Sequence, residues 1–378
     1  MKTQQPVLRN GRNVWDPVNM PASEFEARAG RIREEMRKSG LDVLLLYGRA
    51  FDEYADPCYV SNFLIRLARG ILAVVPAQGS PAVFFEGASR GLPSLQAFTA
   101  VKELKAAGNI PKEVAAYLRE KGLVPSRVGL GRLAELMPQV EFRALKEAFS
   151  ECTLVDASRL VPELRMRKSE READQLRRSG RVLRRAFRAV GAMRFPELTE
   201  AAVDAAVRKE ARLEGAGDFR MLVARPGGSF RPTEERPIDA GSTVIVHAAL
   251  ELERYWAEAA RTFVAGEGVL SEVPAGKRAF FARAVDAVRP GRDVAEVRRE
   301  VLEAVRRWGA EPLTEYPLGN GVGLSPEEAP WLEEGAEGRL EEGMSLALRL
   351  GARDPAQGTV LWGGTLLVAK DGAELITE

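Results

Sequence analysis

The segment from Gly241 to Phe263, GSTVIVHAALELERYWAEAARTF, constrains the fold of this chain more than any other. Its apolar runs predict two adjacent β-strands. The first strand carries His247, which is the only histidine in 378 residues, and the second carries Glu258, eleven positions later. A lone histidine on a strand can be a core residue with satisfied hydrogen bonds, or it can belong to a site. The segment alone leaves both interpretations open.

Further short motifs follow in the carboxyl-terminal half. They are Ser229-Phe230-Arg231-Pro232, Gly319-Asn320-Gly321-Val322-Gly323, Glu327-Glu328-Ala329-Pro330, the strand from Gly343 to Gly351 that contains Arg349, and Gly363-Gly364-Thr365. The alternating glycines do not form G-x-G-x-x-G, and the sequence has no P-loop and no G-x-S-x-G nucleophile elbow. Such glycines indicate instead a close approach of the backbone to a ligand or a neighbouring strand.

The order of these motifs resembles that of the pita-bread-fold family of methionine aminopeptidase, aminopeptidase P, prolidase and creatinase. The resemblance covers nearly the whole chain. In the family's metallopeptidases, two aspartates on adjacent strands bind a pair of divalent ions. The second aspartate precedes a Thr-Arg-Thr-Phe-like segment, which places it at Glu258, before Ala-Ala-Arg261-Thr262-Phe263. The family spacing places the first aspartate at His247, so the aspartate pair has become a histidine and a glutamate.

The other motif positions of the family are also substituted. Two motif histidines correspond to Asn320 and Glu327, and an upstream histidine corresponds to Ser229. A ligand glutamate corresponds to Arg349, and the last ligand corresponds to Gly363. The resemblance therefore implies the family's fold but not its metal chemistry.

Counting charges at these positions predicts that the metal is lost. A dinuclear site presents four carboxylates and one imidazole to two cations, which offset the repulsion between the carboxylates. The equivalent positions here hold His247, Glu258, Asn320, Arg349 and Gly363. With a neutral histidine this set is balanced without metal, and arginine is not deprotonated at neutral pH. We therefore expect no metal or other cofactor, and we expect Arg349 to form a salt bridge with Glu258 or Glu327.

Composition fits a two-domain protein without a nucleic-acid or membrane partner. The chain is 45% hydrophobic and 29% charged, and its length suffices for two cores. A net charge of +1 gives no electrostatic basis for binding nucleic acid or membranes. The opening MKTQQPVLRNGRN lacks the apolar run of a secretion signal, and no later run approaches the ~18 apolar residues of a membrane span. We expect a cytoplasmic protein.

The expected fold class is α/β and α+β: the organisation predicts two units, and the resemblance implies an amino-terminal creatinase-like α/β domain followed by a pita-bread domain. A helix capped by Ser23 and ending near Lys38 precedes apolar strands at residues 42–47, 70–76 and 82–86, which alternate with helices as in a doubly wound sheet. The segment from Tyr59 to Arg69 resembles the amino-terminal domain of the creatinase and aminopeptidase P branch. We place the creatinase-like domain at residues 1–158 and the pita-bread domain at residues 159–378.

Two classes of function remain open. In both, the chain is a Xaa-Pro peptidase-like protein that lacks the family's metal centre and binds a small amino-acid-like or peptide ligand. In the first class it is a non-catalytic pseudoenzyme. In the second it is a metal-independent, creatinase-type C–N hydrolase. In the hydrolase, His247 would act as acid or base, Glu258 would orient it, and Arg349 would bind a substrate carboxylate, with Glu327 also in the catalytic set.

The resemblance also implies groups that bind the ligand and a partner subunit. Asn320, Ser229 and Arg261 are candidate ligand-binding residues. In the creatinase branch the amino-terminal domain of one subunit reaches the cleft of its neighbour. We therefore expect a homodimer with Arg66 or Arg69 at the rim of the cleft.

Overall fold

The computed structural model describes residues 14–49, 53–64, 70–194, 198–266, 269–314, 316–354 and 358–378. These residues divide into two compact units, and the division along the chain falls between Arg165 and Met166. The sequence-based boundary after residue 158 stays a prediction. No helix in the described ranges is long and apolar enough to cross a membrane.

The first unit alternates strands and helices. Its helices are α1 Ala22–Lys38, α2 Ala55–Ser61, α3 Leu92–Leu95, α4 Ile110–Glu120, α5 Leu133–Leu136, α6 Gln139–Ala148 and α7 Leu160–Met166. Its strands are β1 Val43–Arg49, β2 Gly70–Pro76, β3 Ala82–Glu86, β4 Glu103–Ala107, β5 Arg127–Gly131 and β6 Thr153–Asp156. In the described part of the chain, these six strands form one sheet in the order β4-β3-β2-β1-β5-β6.

The sheet of the first unit is mixed rather than wholly parallel. Strand β1 is parallel to β5, and β3 is parallel to β4, but β2 is antiparallel to both β1 and β3. The cause is the short connection from β2 to β3, residues 77–81, because a parallel pair needs a crossover of a dozen or more residues. The predicted α/β class is confirmed, with an antiparallel strand inside the sheet.

The first helix begins one residue earlier than the proposed cap. Helix α1 starts at Ala22, and Pro21 occupies the N-cap position in an extended conformation with no side-chain cap. The predicted cap by Ser23 is therefore wrong, because Ser23 lies inside the first turn. The predicted end at Lys38 is correct, and Gly40 follows with a φ of 64° that favours glycine.

The second unit combines long helices with an antiparallel sheet. Its helices are α8 Glu170–Gly191, α9 Glu200–Leu213, α10 Ala279–Ala287 and α11 Val294–Arg307. Its strands are β7 Asp218–Ala224, β8 Thr243–Leu252, β9 Tyr255–Ala265, β10 Leu270–Glu272, β11 Glu311–Pro312, β12 Gly319–Gly321, β13 Glu328–Trp331, β14 Ser345–Asp354, β15 Gly358–Ala369 and β16 Gly372–Leu375. The main path of the sheet is β13-β12-β14-β15-β9-β8-β7 among the described residues.

Helices cover one face of this sheet. Apolar residues of α8 and α9 pack with alternate residues of β7 to β9, such as Val244 and Val246. Residues of α10 and α11 pack in the same way with alternate residues of β14 and β15, such as Leu348 and Trp362. Because side chains alternate along a strand, the residues between these positions point to the opposite face. His247 is one of them.

Candidate functional site

The positions of the candidate site form a row across four neighbouring strands of the sheet. His247 of β8 lies opposite Ala260 of β9, Ala260 lies opposite Gly363 of β15, and Gly363 lies opposite Arg349 of β14. Directly opposite residues in a sheet share a face, so this row lies on the face that the helices leave uncovered. Asn320 of β12 joins the same face because it lies opposite Ala347, two residues from Arg349.

Glu258 reaches this face through the geometry of the β8–β9 hairpin. The hairpin turns at Glu253 and Arg254, which have φ values of 49° and 83°. Glu258 lies opposite Ala249, which is two residues from His247 on the same side of β8. The two candidate residues are therefore diagonal neighbours, as their spacing of eleven positions in a two-residue hairpin requires.

Arg349 lies at the centre of the cluster and is bonded on three sides. Its Nη1 donates a hydrogen bond to Glu258 Oε1, and its Nη2 donates to Asn320 Oδ1 at 2.6 Å. Its Nε donates to the carbonyl of Pro317 at 3.0 Å. The expected salt bridge between Arg349 and Glu258 is confirmed. Asn320 is held in turn, since its Nδ2 donates to the carbonyls of Gly321 and Pro326.

Glu258 is almost enclosed, with only 7% of its side chain exposed. Burial alone would raise the pKa of this carboxyl, but the charges of Arg349 and His247, with the hydrogen bond from Arg349, outweigh burial and lower the pKa to about 2. The backbone of Glu258 is bonded as well, because its N–H donates to Thr365 Oγ1 and its carbonyl accepts from the same hydroxyl, both at 2.9 Å. Glu258 is therefore a fixed carboxylate at neutral pH.

His247 has the least constrained polar group in the cluster. Its Nε2 lies 3.5 Å from Glu258 Oε2, and this enclosed nitrogen makes no hydrogen bond with any described residue. The imidazole contacts Phe230, with ring centroids 5.8 Å apart, and Phe230 contacts Tyr316 at 4.8 Å. The histidine therefore lies between a carboxylate and a pair of half-buried aromatic rings.

The segment that carries Phe230 is held by a buried carboxylate. Glu200, at the first turn of α9, is fully buried and forms salt bridges with Arg225 at 3.1 Å and Arg231 at 2.8 Å. Arg231 also exchanges two backbone hydrogen bonds with Val223, at the end of β7. These contacts fix both ends of residues 225–231, so the position of Phe230 beside His247 is set by the fold.

Arg261 is not brought to this cluster. It lies three residues after Glu258 on β9, so alternation points it to the helix-covered face. There its guanidinium donates to the carbonyls of Ala260, Gly363 and Thr377. These contacts tie β9 to β15, which is a role in the sheet rather than contact with a ligand in the cleft.

Two further candidates are not bonded to the cluster. Glu327 and Ser229 are both exposed, and neither side chain forms a hydrogen bond or a salt bridge with His247, Glu258 or Arg349 in the described part of the chain. Arg66 and Arg69 fall outside the described residues. The structure thus brings together four of the named side chains: His247, Glu258, Asn320 and Arg349.

The donor set does not fit a dinuclear metal centre. Among the family's ligand positions, only His247 and Glu258 carry groups that bind divalent metals well, and the guanidinium of Arg349 is bonded to Glu258. In the described ranges, no three His, Cys, Asp or Glu side chains converge as a metal site would require. Gly363 offers no side chain, and a Cβ there would lie 2.9 Å from the carbonyl oxygen of Leu348. A carboxylate at this position would therefore require the strands to shift.

Sequence reasoning missed the aromatic part of the site. Phe230 and Tyr316 contact each other beside His247, yet the motif analysis selected Ser229, the neighbour of Phe230. The signal lay in the same Ser-Phe-Arg-Pro motif, whose half-buried aromatic residue contacts the imidazole while its serine is exposed. Tyr316 had no such signal, because it lies outside these motifs. Its hydroxyl donates a hydrogen bond at 2.8 Å to the carbonyl of Gly228, which is far away in the sequence.

Family models match both units of the chain. Residues 174–370 match metallopeptidase family M24, and residues 28–167 match the creatinase/prolidase N-terminal domain. The "Probable dipeptidase PepE" of Mycobacterium tuberculosis is 26% identical over 341 residues, which cover 84% of this chain and 86% of that protein.

Two solved structures show the same fold. The X-Pro aminopeptidase from Thermotoga maritima has a TM-score of 0.77 at 18% identity, covering 93% of this chain and 97% of the other. The prolidase from Pyrococcus horikoshii has a TM-score of 0.73 at 19% identity, covering 93% and 98%. The motif resemblance is therefore confirmed, and the chain belongs to metallopeptidase family M24, with the amino-terminal domain of creatinase and prolidase.

Proposed function

We propose that this chain is a Xaa-Pro dipeptidase-like protein that lacks the dinuclear metal centre and binds a small amino-acid-like or peptide ligand on the sheet face of its second unit that carries His247. The observation that carries this proposal is the guanidinium of Arg349, which is hydrogen bonded to both Glu258 and Asn320. These are the positions where family members hold metal ligands. A permanent cation there repels a divalent ion and already neutralises the carboxylate.

The same bonds argue against one part of the hydrolase hypothesis. Arg349 uses three of its five N–H donors on Glu258, Asn320 and Pro317, and its side chain is only 12% exposed. A bidentate bond to a substrate carboxylate would have to replace some of these contacts. We therefore assign Arg349 to holding Glu258 and Asn320 in place, and we place the ligand beside His247, Phe230 and Tyr316.

His247 supports catalysis as a second candidate function. Nε2 of His247 lies 3.5 Å from the fixed carboxylate of Glu258, so in a hydrolase the other ring nitrogen, Nδ1, would take a proton from water and pass it on. In such a hydrolase the water oxygen bonds to the carbon of a C–N bond, the C–N bond breaks, and the leaving nitrogen receives the proton from the imidazolium. Glu258 stabilises the imidazolium in this step. A protein that binds the same ligand without turnover is the third candidate.

Metal content tests the first half of the proposal. In protein purified without chelator, elemental analysis should find Mn, Co and Zn well below one ion per chain. Arg349→Glu should lower the melting temperature at neutral pH unless one of these metals is supplied, because it leaves two carboxylates side by side. One or more ions per chain bound in the cleft of the unmodified protein would overturn the proposal. The fallback in that case is a mononuclear site of His247, Glu258 and Glu327.

Ligand binding tests the second half. A calorimetric screen of Xaa-Pro dipeptides and N-substituted amino acids should give at least one ligand whose affinity falls in Phe230→Ala, with Glu333→Gln as an exposed control. Formation of product that disappears in His247→Gln identifies the hydrolase, and binding without product identifies the binding protein. If no compound of these classes binds, the ligand class is wrong.

We also propose a cytoplasmic homodimer without nucleic-acid or membrane partners. The proposal depends on the net charge of +1 and on the creatinase-type amino-terminal domain. Light scattering at micromolar concentration gives a direct test. A monomer would remove the basis for a cleft that two subunits share.

A further inference from the structure

Trp362 of β15 lies on the helix-covered face, between two arginine side chains. The guanidinium carbon of Arg278 is 4.1 Å from the centre of the indole, and that of Arg261 is 4.3 Å from it. The indole is 1% exposed, so these cation–π contacts lie in the interior of the second unit. The three residues come from different segments, and their meeting point lies on the opposite face of the sheet from His247.

Two N–H groups at this point have no acceptor. Trp362 Nε1 and Arg278 Nε are both enclosed, and neither makes a hydrogen bond with any described residue. Arg278 otherwise uses its Nη1 on the carboxylate of Glu378. Buried polar groups are almost always bonded to protein, ordered water or an ion, so each of these two enclosed donors requires an acceptor that the described residues do not supply.

Charge favours a negative acceptor over a neutral one. Arg261 is 3% exposed, and its hydrogen bonds go to three backbone carbonyls. The nearest carboxylate oxygen that it meets, in Glu272, is 3.9 Å from its Nε. Burial lowers the pKa of Arg261 to about 10 and outweighs the carboxylates of Glu272 and Glu378, which act to raise it, while the positive charge of Arg278 adds to the lowering. The positive charge of Arg261 is thus incompletely neutralised.

We propose that the second unit binds one small inorganic anion, of the size of chloride, between the indole N–H of Trp362 and the Nε–H of Arg278. The anion accepts hydrogen bonds from both donors and adds a negative charge beside two guanidinium groups. Nothing in the cluster of His247 and Glu258 takes part, so this site is independent of the proposed function.

Bromide diffraction locates the anion directly. Crystals of the unmodified protein grown or soaked in sodium bromide should give an anomalous peak within hydrogen-bonding distance of Trp362 Nε1. Absence of a peak there, with ordinary water density between the donors, would show that the site holds water and would overturn the proposal. This measurement needs no variant, so it decides the question even if substitutions at Trp362 prevent folding.

Thermal unfolding tests the same site in solution. Replacing sodium gluconate by sodium chloride at constant ionic strength should raise the melting temperature, saturably and by about 2 °C. Trp362→Phe keeps an aromatic ring but removes the donor, so it should lose the chloride effect, and Arg278→Lys should weaken it. Trp308→Phe is the matched control, because Trp308 packs on Phe280 elsewhere in the same core, and it should keep the effect. An equal chloride effect in Trp362→Phe and in the unmodified protein would contradict the assignment.

Discussion

Replacing Arg349 with methionine should destabilise the second unit far more than loss of an ordinary surface ion pair would. Methionine fills most of the volume of the side chain but leaves Glu258, which is 7% exposed, without its main partner. Breaking a buried ion pair by removing one partner costs about 3–5 kcal/mol. The pKa of Glu258 gives a consistent figure, since its fall from 4.5 to about 2 corresponds to about 3 kcal/mol of interaction with the charged form.

The deficit of Arg349→Met should depend on pH. In the unmodified protein the folded pKa of Glu258 lies below its unfolded value, so its contribution is present above pH 4.5 and is lost as the pH falls toward 2. Without Arg349, burial acts on Glu258 with only the charge of His247 against it, so we expect the pKa of the carboxyl to rise in the folded variant. The difference in unfolding free energy between the two proteins should therefore be largest at neutral pH and smaller near pH 3.

Urea denaturation and hydrogen exchange give the required measurements. Peptides from β9 and β14 report opening of the second unit separately from the first. Arg339→Met is the control, because Arg339 is 66% exposed and pairs with Asp293 at 3.3 Å, and it should cost less than about 1 kcal/mol. Adding Glu258→Gln to Arg349→Met should restore part of the loss. A deficit no larger than that of the control, or one that does not change with pH, would refute the argument.

Three further outcomes follow from the same geometry. Gly363→Glu should lower the melting temperature by several degrees, since its Cβ would lie 2.9 Å from the carbonyl oxygen of Leu348. Gly372→Ala should not lower it, because a Cβ at Gly372 meets open space, and equal effects of the two substitutions would contradict the close packing at Gly363. In the unmodified protein, urea titrations should show the second unit losing about 3 kcal/mol between pH 4.5 and 2, and Glu258→Gln should flatten this loss; an unchanged slope would exclude Glu258 as its source. Deleting residues before Asp156 should abolish dimerisation in light scattering, and a truncated dimer would contradict a shared cleft.

The parts of the site that depend on strand geometry could be predicted from the sequence. Two residues eleven positions apart across a two-residue turn must share a face, and charge balance then required a partner for Arg349, which the structure supplies as Glu258. The placement of Arg261 failed because the motif was read without the alternation of side chains. Three positions from Glu258 is an odd step along a strand, which points to the other face.

The contacts between distant segments could not be predicted. Phe230 reaches His247 because Glu200, on a helix, holds Arg231 through a buried salt bridge, and no local pattern links these three segments. The antiparallel strand β2 was a different kind of failure. Its apolar run was located correctly, and the short connection of residues 77–81 already required an antiparallel pair with β3, but the interpretation as a doubly wound sheet overlooked this connection.

The salt bridge between Arg349 and Glu258 also connects two parts of the sheet, which meet where β9 pairs with β15. Strands β9 and β15 pair through Ala260 and Gly363, and the hydroxyls of Thr262 and Thr365 complete the connection on either side. Glu258 lies on β9, on one side of this pairing, and Arg349 lies on β14, on the other side. A metal ion at such a place can be lost by dilution or removed by a chelator, but a guanidinium is covalently attached to the chain. The positive charge that connects the two halves of this sheet is therefore always present, whatever the supply of metal in the surroundings.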